Sequence, residues 1–215
     1  MGDYQTEDGS VAQPVVLMCQ SSLTDTDYMQ LDPLSAALLV IQYEHSELHG
    51  GRSFACHYSQ EVSDTGFKSI IAFKSGNDTR QHHLVFSASA SAPAIGYILE
   101  APTITDNTGD TLSVFNRNRT SANLSDIIDT SQNPDVKGQA MYFTAAAASN
   151  VTGGTILDTV PLISGQGPFA VGGTNRGQQE WILAEDTLYA FVIESSDATD
   201  NIHRIQVDWY EHAPR

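Results

Sequence analysis

The residues of this chain best spaced to hold an ion are His45, Glu47 and His49, within Tyr43-Glu44-His45-Ser46-Glu47-Leu48-His49-Gly50-Gly51. In an extended segment, positions two apart share a face, so two imidazoles and a carboxylate would converge as a ligand set suited to zinc or a similar ion. A polar strand end at the rim of a subunit interface would carry the same residues, and it is the preferred reading. A metal site needs a third or fourth ligand and an outer shell, which His203 or His212 supplies only if the terminal strand pairs beside the first. No cofactor is expected.

Tyr-Glu-His recurs at Tyr43 to His45 and at Tyr210 to His212, which invites a glutamate orienting a histidine base. That chemistry requires a nucleophile, and no Ser or Cys stands in an elbow or triad-like setting, so no catalytic residue is assigned. The two copies are expected at the edges of equivalent strands, with the Tyr rings buried and the Glu and His groups bonding at a rim. His82 and His83 open a strand and must face opposite sides, one structural and one solvated.

Asn116-Arg117-Asn118-Arg119-Thr120-Ser121 is where cations concentrate in a chain with 10 Lys+Arg against 26 Asp+Glu and a net charge of −16. Guanidinium forks grip carboxylates and carbonyls of a neighbour, so Arg117 and Arg119, with Asn116 and Asn118, are expected to touch a partner. Glu47 and His49 belong to the same polar rim. The competing reading is a loop bonded to itself that ties two sheet layers together. A nucleic-acid surface is excluded by the scarcity of cations. The glycines at Gly153-Gly154, Gly165 to Gly167 and Gly172 to Gly177 match no phosphate-binding spacing and read as turn formers.

The elements that must position these residues are strands. Only 17% of the residues are charged and 40% are hydrophobic, the composition of a packed domain. Cys19 and Cys56 fit no metal or redox spacing. The acidic N-terminus lacks the basic start of a secretory signal, and the apolar run from Ala36 to Ile41 is too short to span a bilayer, so a soluble protein is expected. Residues 1–35, rich in Ser, Thr, Asp and Gln, read as an N-terminal arm or peripheral segment, and residues 36–215 as one β domain.

Within that domain, short alternating runs predict strands at Leu38 to Glu44, Arg52 to Ser59, Phe67 to Phe73, Leu84 to Ala90, Gly96 to Glu100, Thr111 to Phe115, Ala140 to Thr144, Thr155 to Leu162, Glu180 to Leu183, Leu188 to Glu194 and Ile202 to Tyr210. Phe54, Cys56 and Tyr58 share one face. On the last strand His203, Ile205, Val207 and Trp209 face inward. Ten or eleven short strands predict an all-β, antiparallel, jelly-roll-like sandwich.

Four stretches in this order carry a resemblance: Tyr43 to Gly51, Phe115 to Ser121, Gln179-Glu180-Trp181-Ile182-Leu183 through Phe191, and Asp208-Trp209-Tyr210-Glu211-His212. Together they resemble a family of virion structural proteins of tailed viruses, over roughly Leu38 to His212. The resemblance implies a place in the virion, on the outer surface of the capsid, as a jelly-roll cement or decoration subunit. It further implies a homotrimer whose partner is the major capsid protein, with neither nucleic acid nor membrane bound. The alternatives are a glycan- or receptor-binding module of a viral fibre, spike or tail, and a cupin-like metalloenzyme built on the same barrel.

Overall fold

A computed structural model describes residues 18–22, 25–28, 43–76, 80–105, 108–128, 140–162 and 180–212. The chain divides into two units, Met1–Gln42 and Tyr43–Arg215. In the first, Met18–Ser22 (β1) and Asp25–Tyr28 (β2) pair antiparallel, with a register shift between Gln20 and Ser22.

The second unit opens with a short helix, α1 (Tyr43–His49), and continues as strands. These are β3 (Ser53–Val62), β4 (Lys68–Lys74), β5 (Gln81–Ala90), β6 (Ala94–Glu100), β7 (Thr103–Ile104), β8 (Asp110–Leu112), β9 (Phe115–Asn116), β10 (Ala140–Phe143), β11 (Val151–Thr152), β12 (Thr155–Leu162), β13 (Trp181–Ile182), β14 (Leu188–Ser195) and β15 (Asn201–His212). Two sheets form an antiparallel sandwich: a six-stranded one in the order β12-β6-β14-β4-β10-β8 and a five-stranded one in the order β13-β5-β15-β3-β9. The pair β7 and β11 stands apart from both. The connections β3 to β4, β4 to β5, β5 to β6, β13 to β14 and β14 to β15 each pass from one sheet to the other.

Side-chain alternation dictates this arrangement. On β15 the residues His203, Ile205, Val207 and Trp209 are all buried, while Arg204 and Gln206 are exposed. On β3, Phe54 and Cys56 are buried and Tyr58 packs at the margin of the same core. β4 and β14 are buried along nearly their whole length, as central strands covered on both faces must be. Aromatic rings bridge the layers, Trp209 lying 5.6 Å from Phe73 and Phe191 5.5 Å from Phe86, and pair within each sheet, Trp209 lying 5.9 Å from Phe54 and Phe191 5.4 Å from Phe73. Offset rings at such spacings add to what area burial supplies.

Two expected strands differ. Of Leu38 to Glu44, residues 38–42 lie outside the described residues, and Tyr43 and Glu44 begin α1. The run Thr111 to Phe115 is divided: β8 joins the six-stranded sheet and β9 the five-stranded one, so the chain changes layers at Ser113-Val114. Gly153 and Gly154, at φ 66 and 86, make the turn from β11 into β12, where a Cβ on Gly154 would meet the Glu100 carbonyl. The other two glycine clusters lie outside the described residues.

Candidate functional site

Segments far apart in sequence meet at one end of the sandwich, where β15 finishes beside the starts of β3 and β5. The connection is largely made by amides. The Asn116 amide donates to the Gly51 carbonyl (2.8 Å), Asn118 to that of His49 (3.0 Å) and Asn123 to that of Gly50 (3.2 Å). Glu211 N–H donates to the Arg52 carbonyl at 2.9 Å, and Arg117 N–H to that of Ser53 at 2.8 Å. The stretches 43–51, 115–123 and 208–212 thereby form one hydrogen-bonded pole, and Glu180 joins it by accepting from the Tyr210 hydroxyl at 3.1 Å.

The helix corrects the extended reading of His45, Glu47 and His49. At 3.6 residues per turn, positions four apart share a face and the residue between them does not. The Nε2 atoms of His45 and His49 accordingly stand 3.0 Å apart on an exposed surface. Glu47 turns the opposite way, is buried, and pairs with the Arg52 guanidinium. Glu47 is therefore neither a rim residue nor a companion ligand. The two Tyr-Glu-His copies are likewise not equivalent, since one lies in a helix and the other in a strand.

Asn116 and Asn118 spend their amides inside the molecule, and Asn118 Oδ1 also accepts from the backbone and hydroxyl of Thr120. The self-bonded loop is the reading that describes them. Arg117 and Arg119 remain at the surface. Arg117 reaches Asp208 at 3.8 Å, and the Arg119 guanidinium sits 5.9 Å from the centre of the Phe115 ring.

Glu211 follows Trp209 on the inward phase of β15 and is fully buried. Its carboxylate accepts from Ser125 Oγ, from Trp209 Nε1 at 2.9 Å and from Asp126 N–H at 3.2 Å. Burial pushes its pKa up, opposed by these donors and by Arg80. Arg80 bonds Asp126 at 3.0 Å and stands 3.6 Å from Glu211. Ligand atoms of His82, Asp126 and Glu211 do lie within 4.8 Å of one another. The Arg80 guanidinium already supplies positive charge there and the Glu211 oxygens are taken by donors, so this is a buried polar network tying the loop 123–128 to the sheet.

On the outer face of the same strand ends, His83 Nδ1 meets Glu180 Oε2 at 3.1 Å, and His83 Nε2 meets His212 Nε2 at 2.8 Å. The His83 ring stacks 4.7 Å from Tyr210. His82 and His83 do face opposite sides, but His82 is buried and His83 is held in this cluster, so neither is merely solvated. The sequence signal for the burial of Glu211 was the period of β15 itself, which places position 211 in phase with the core. His203, on the same row, bonds Ser69 (3.0 Å) and Ser195 (3.1 Å) and lies far along β15 from the pole, so it gives α1 no ligand.

A groove of about 560 Å³ lies over the middle of the five-stranded sheet. Ser59 and Ser89 stand opposite Arg204, and His57 and Ser87 opposite Gln206. Arg204 has no ion pair among the described residues. No helix among the described residues is long and apolar enough to cross a membrane. Neither a protein-family model nor a curated protein matches this chain.

Proposed function

We propose that the protein is a non-enzymatic structural component of a tailed virus particle, a cement or decoration subunit that binds the major capsid protein on the outer face of the head as a homotrimer. The observation that carries this reading is the convergence of the motif stretches on a single pole. Amide bonds fix that pole before any partner arrives, so docking there orders little further chain. It presents Arg117, Arg119 and the exposed rings of His45, His49 and Phe115 on an otherwise acidic molecule. Arginine and aromatic groups are the types enriched where proteins meet. The strand orders β12-β6-β14-β4 and β13-β5-β15-β3, in which successive strands cross between layers, support the jelly-roll form of the sandwich. Three copies acting together would hold a shell more firmly than any single contact.

The test is to add purified protein to particles lacking it, locate it by electron microscopy, and repeat with Arg117→Ala/Arg119→Ala. Density on the outer head surface that the double variant loses supports the reading. Density on the tail alone, or attachment indifferent to both arginines, overturns it.

The groove over β3, β15 and β5 favours a second reading, a glycan- or receptor-binding module. Its serine hydroxyls, Gln206 and Arg204 are groups that hydrogen-bond sugars and carboxylates. Binding on a glycan array that Arg204→Ala abolishes would establish that activity in place of cementing.

A further inference from the structure

We infer that His45 and His49 form a surface site for an imidazole-preferring first-row dication, copper(II), nickel(II) or zinc(II), chelated by the two Nε2 atoms on one face of α1. The two Nε2 atoms stand 3.0 Å apart. Two nitrogens each about 2.1 Å from a metal subtend about 90° when they stand this far apart, the angle between adjacent positions of a square-planar or octahedral ion. The rings meet edge to face, 4.5 Å between centres and 79° between planes. In the free protein the two nitrogens share one hydrogen bond, which the ion replaces once both rings carry their proton on Nδ1.

The rings also rest on a fixed support. The far side of α1 is fixed by buried Glu47 and its pairing with Arg52. The last turn is closed by Gly50 N–H donating to the Ser46 carbonyl (2.8 Å) and Arg52 N–H to that of Glu47 (2.9 Å), and the His49 carbonyl is taken by Asn118. A seven-residue helix would fray alone, but this one is held by a loop some 70 residues away, and its outward rings keep their spacing. Chelation therefore requires little rearrangement. Imidazole pairs four apart on a helix are a recognised way of holding such ions. The remaining coordination positions face solvent and take water.

The inference is independent of the capsid reading, because it concerns an ion and can be tested on the isolated protein. The full chain is titrated with each ion by calorimetry, beside His45→Asn, His49→Asn and, as a control on another exposed imidazole, His57→Asn. In a His83→Asn background, which removes the other close imidazole pair, His83–His212, one ion per chain is expected, with copper the tightest, and about 100-fold weaker binding on adding either α1 substitution while adding His57→Asn changes nothing. Copper(II) electron paramagnetic resonance should report two imidazole nitrogens in the parent and one at most in each α1 variant. Acidification should release the ion, since a protonated imidazole has no lone pair to give. Both rings are exposed, so unchanged circular dichroism of the variants is expected and any loss reads on the site. Equal affinity in parent and α1 variants, equal affinity for magnesium, or a copper spectrum unaffected by both substitutions would overturn the inference.

Discussion

Glu211 and His203 sit on the same inward row of β15, at opposite ends of its apolar middle. Each places a polar group where the neighbouring residues are hydrocarbon, and each is matched by donors or acceptors from another element. Replacing Glu211 by Ala strands Trp209 Nε1 and the Asp126 amide and leaves Ser125 Oγ and Arg80 each short of a partner, Arg80 keeping Asp126. We expect a loss of about 3 kcal/mol in chemical denaturation, with Glu211→Gln losing less because it keeps the shape and part of the bonding. Burial lowers the pKa of His203 from 6.5 to about 4. Between those values the unfolded chain takes up a proton that the folded chain refuses, so the contribution is complete above about pH 6.5 and drains as pH falls, on the order of 3 kcal/mol by pH 4. Glu211 acts in the opposite sense, since its folded form keeps a proton to higher pH. The difference between parent and His203→Gln, measured at pH 7, 5.5 and 4, cancels that contribution. A stability difference that stays constant over this range would refute the assignment.

Among the elements, β15 was the easiest to read and α1 the hardest. The first eight of the twelve residues of β15 alternate between buried and more exposed, so its faces there follow from period two, and only its last stretch, Trp209 to His212, is buried on both sides. By contrast, α1 offers no repeat: its seven residues are a mixture of His, Ser, Glu and Leu between aromatic and glycine. What holds it comes from Asn116, Asn118 and Asn123, which lie 65, 69 and 73 residues from their acceptors, and no local pattern foretells bonds of that span. The change of layer at Ser113-Val114 escaped for a related reason, because a single apolar run can be shared by two sheets. Gly51 is where the loop closes on the helix: its φ is +68, and a Cβ there would run into the Ser121 hydroxyl and side chain. Gly51→Ala should therefore cost about 2 kcal/mol and loosen the pole. Hydrogen exchange should rise at residues 43–52 and 116–123 while the strand centres stay protected, and an unchanged exchange map would count against the pole as a locked unit.

At the scale of the molecule, charge is unevenly shared. Residues 1–42 contain Asp3, Glu7, Asp8, Asp25, Asp27 and Asp32 and neither Lys nor Arg. A stretch of that charge is suited to a basic surface on a partner. Deleting the residues before Leu31 is expected to leave the second unit folded and to weaken particle attachment, the more so at low salt, where exposed charges act furthest. Insolubility of the shortened chain would place the segment in the core instead.

The crossing pattern of the sheets has a kinetic result. β15 lies between β3 and β5, so two strands made early can find their shared neighbour only after some 110 further residues have emerged. Until then both expose facing rows of unpaired amides, and the five-stranded layer stays open at its middle although the six-stranded one is complete by the time β15 emerges. Assembly should consequently be slow, milliseconds to seconds in stopped-flow refolding, and a chain halted at Asp200 should clump rather than mature. Among the described strands, the sandwich is closed by the one that emerges last.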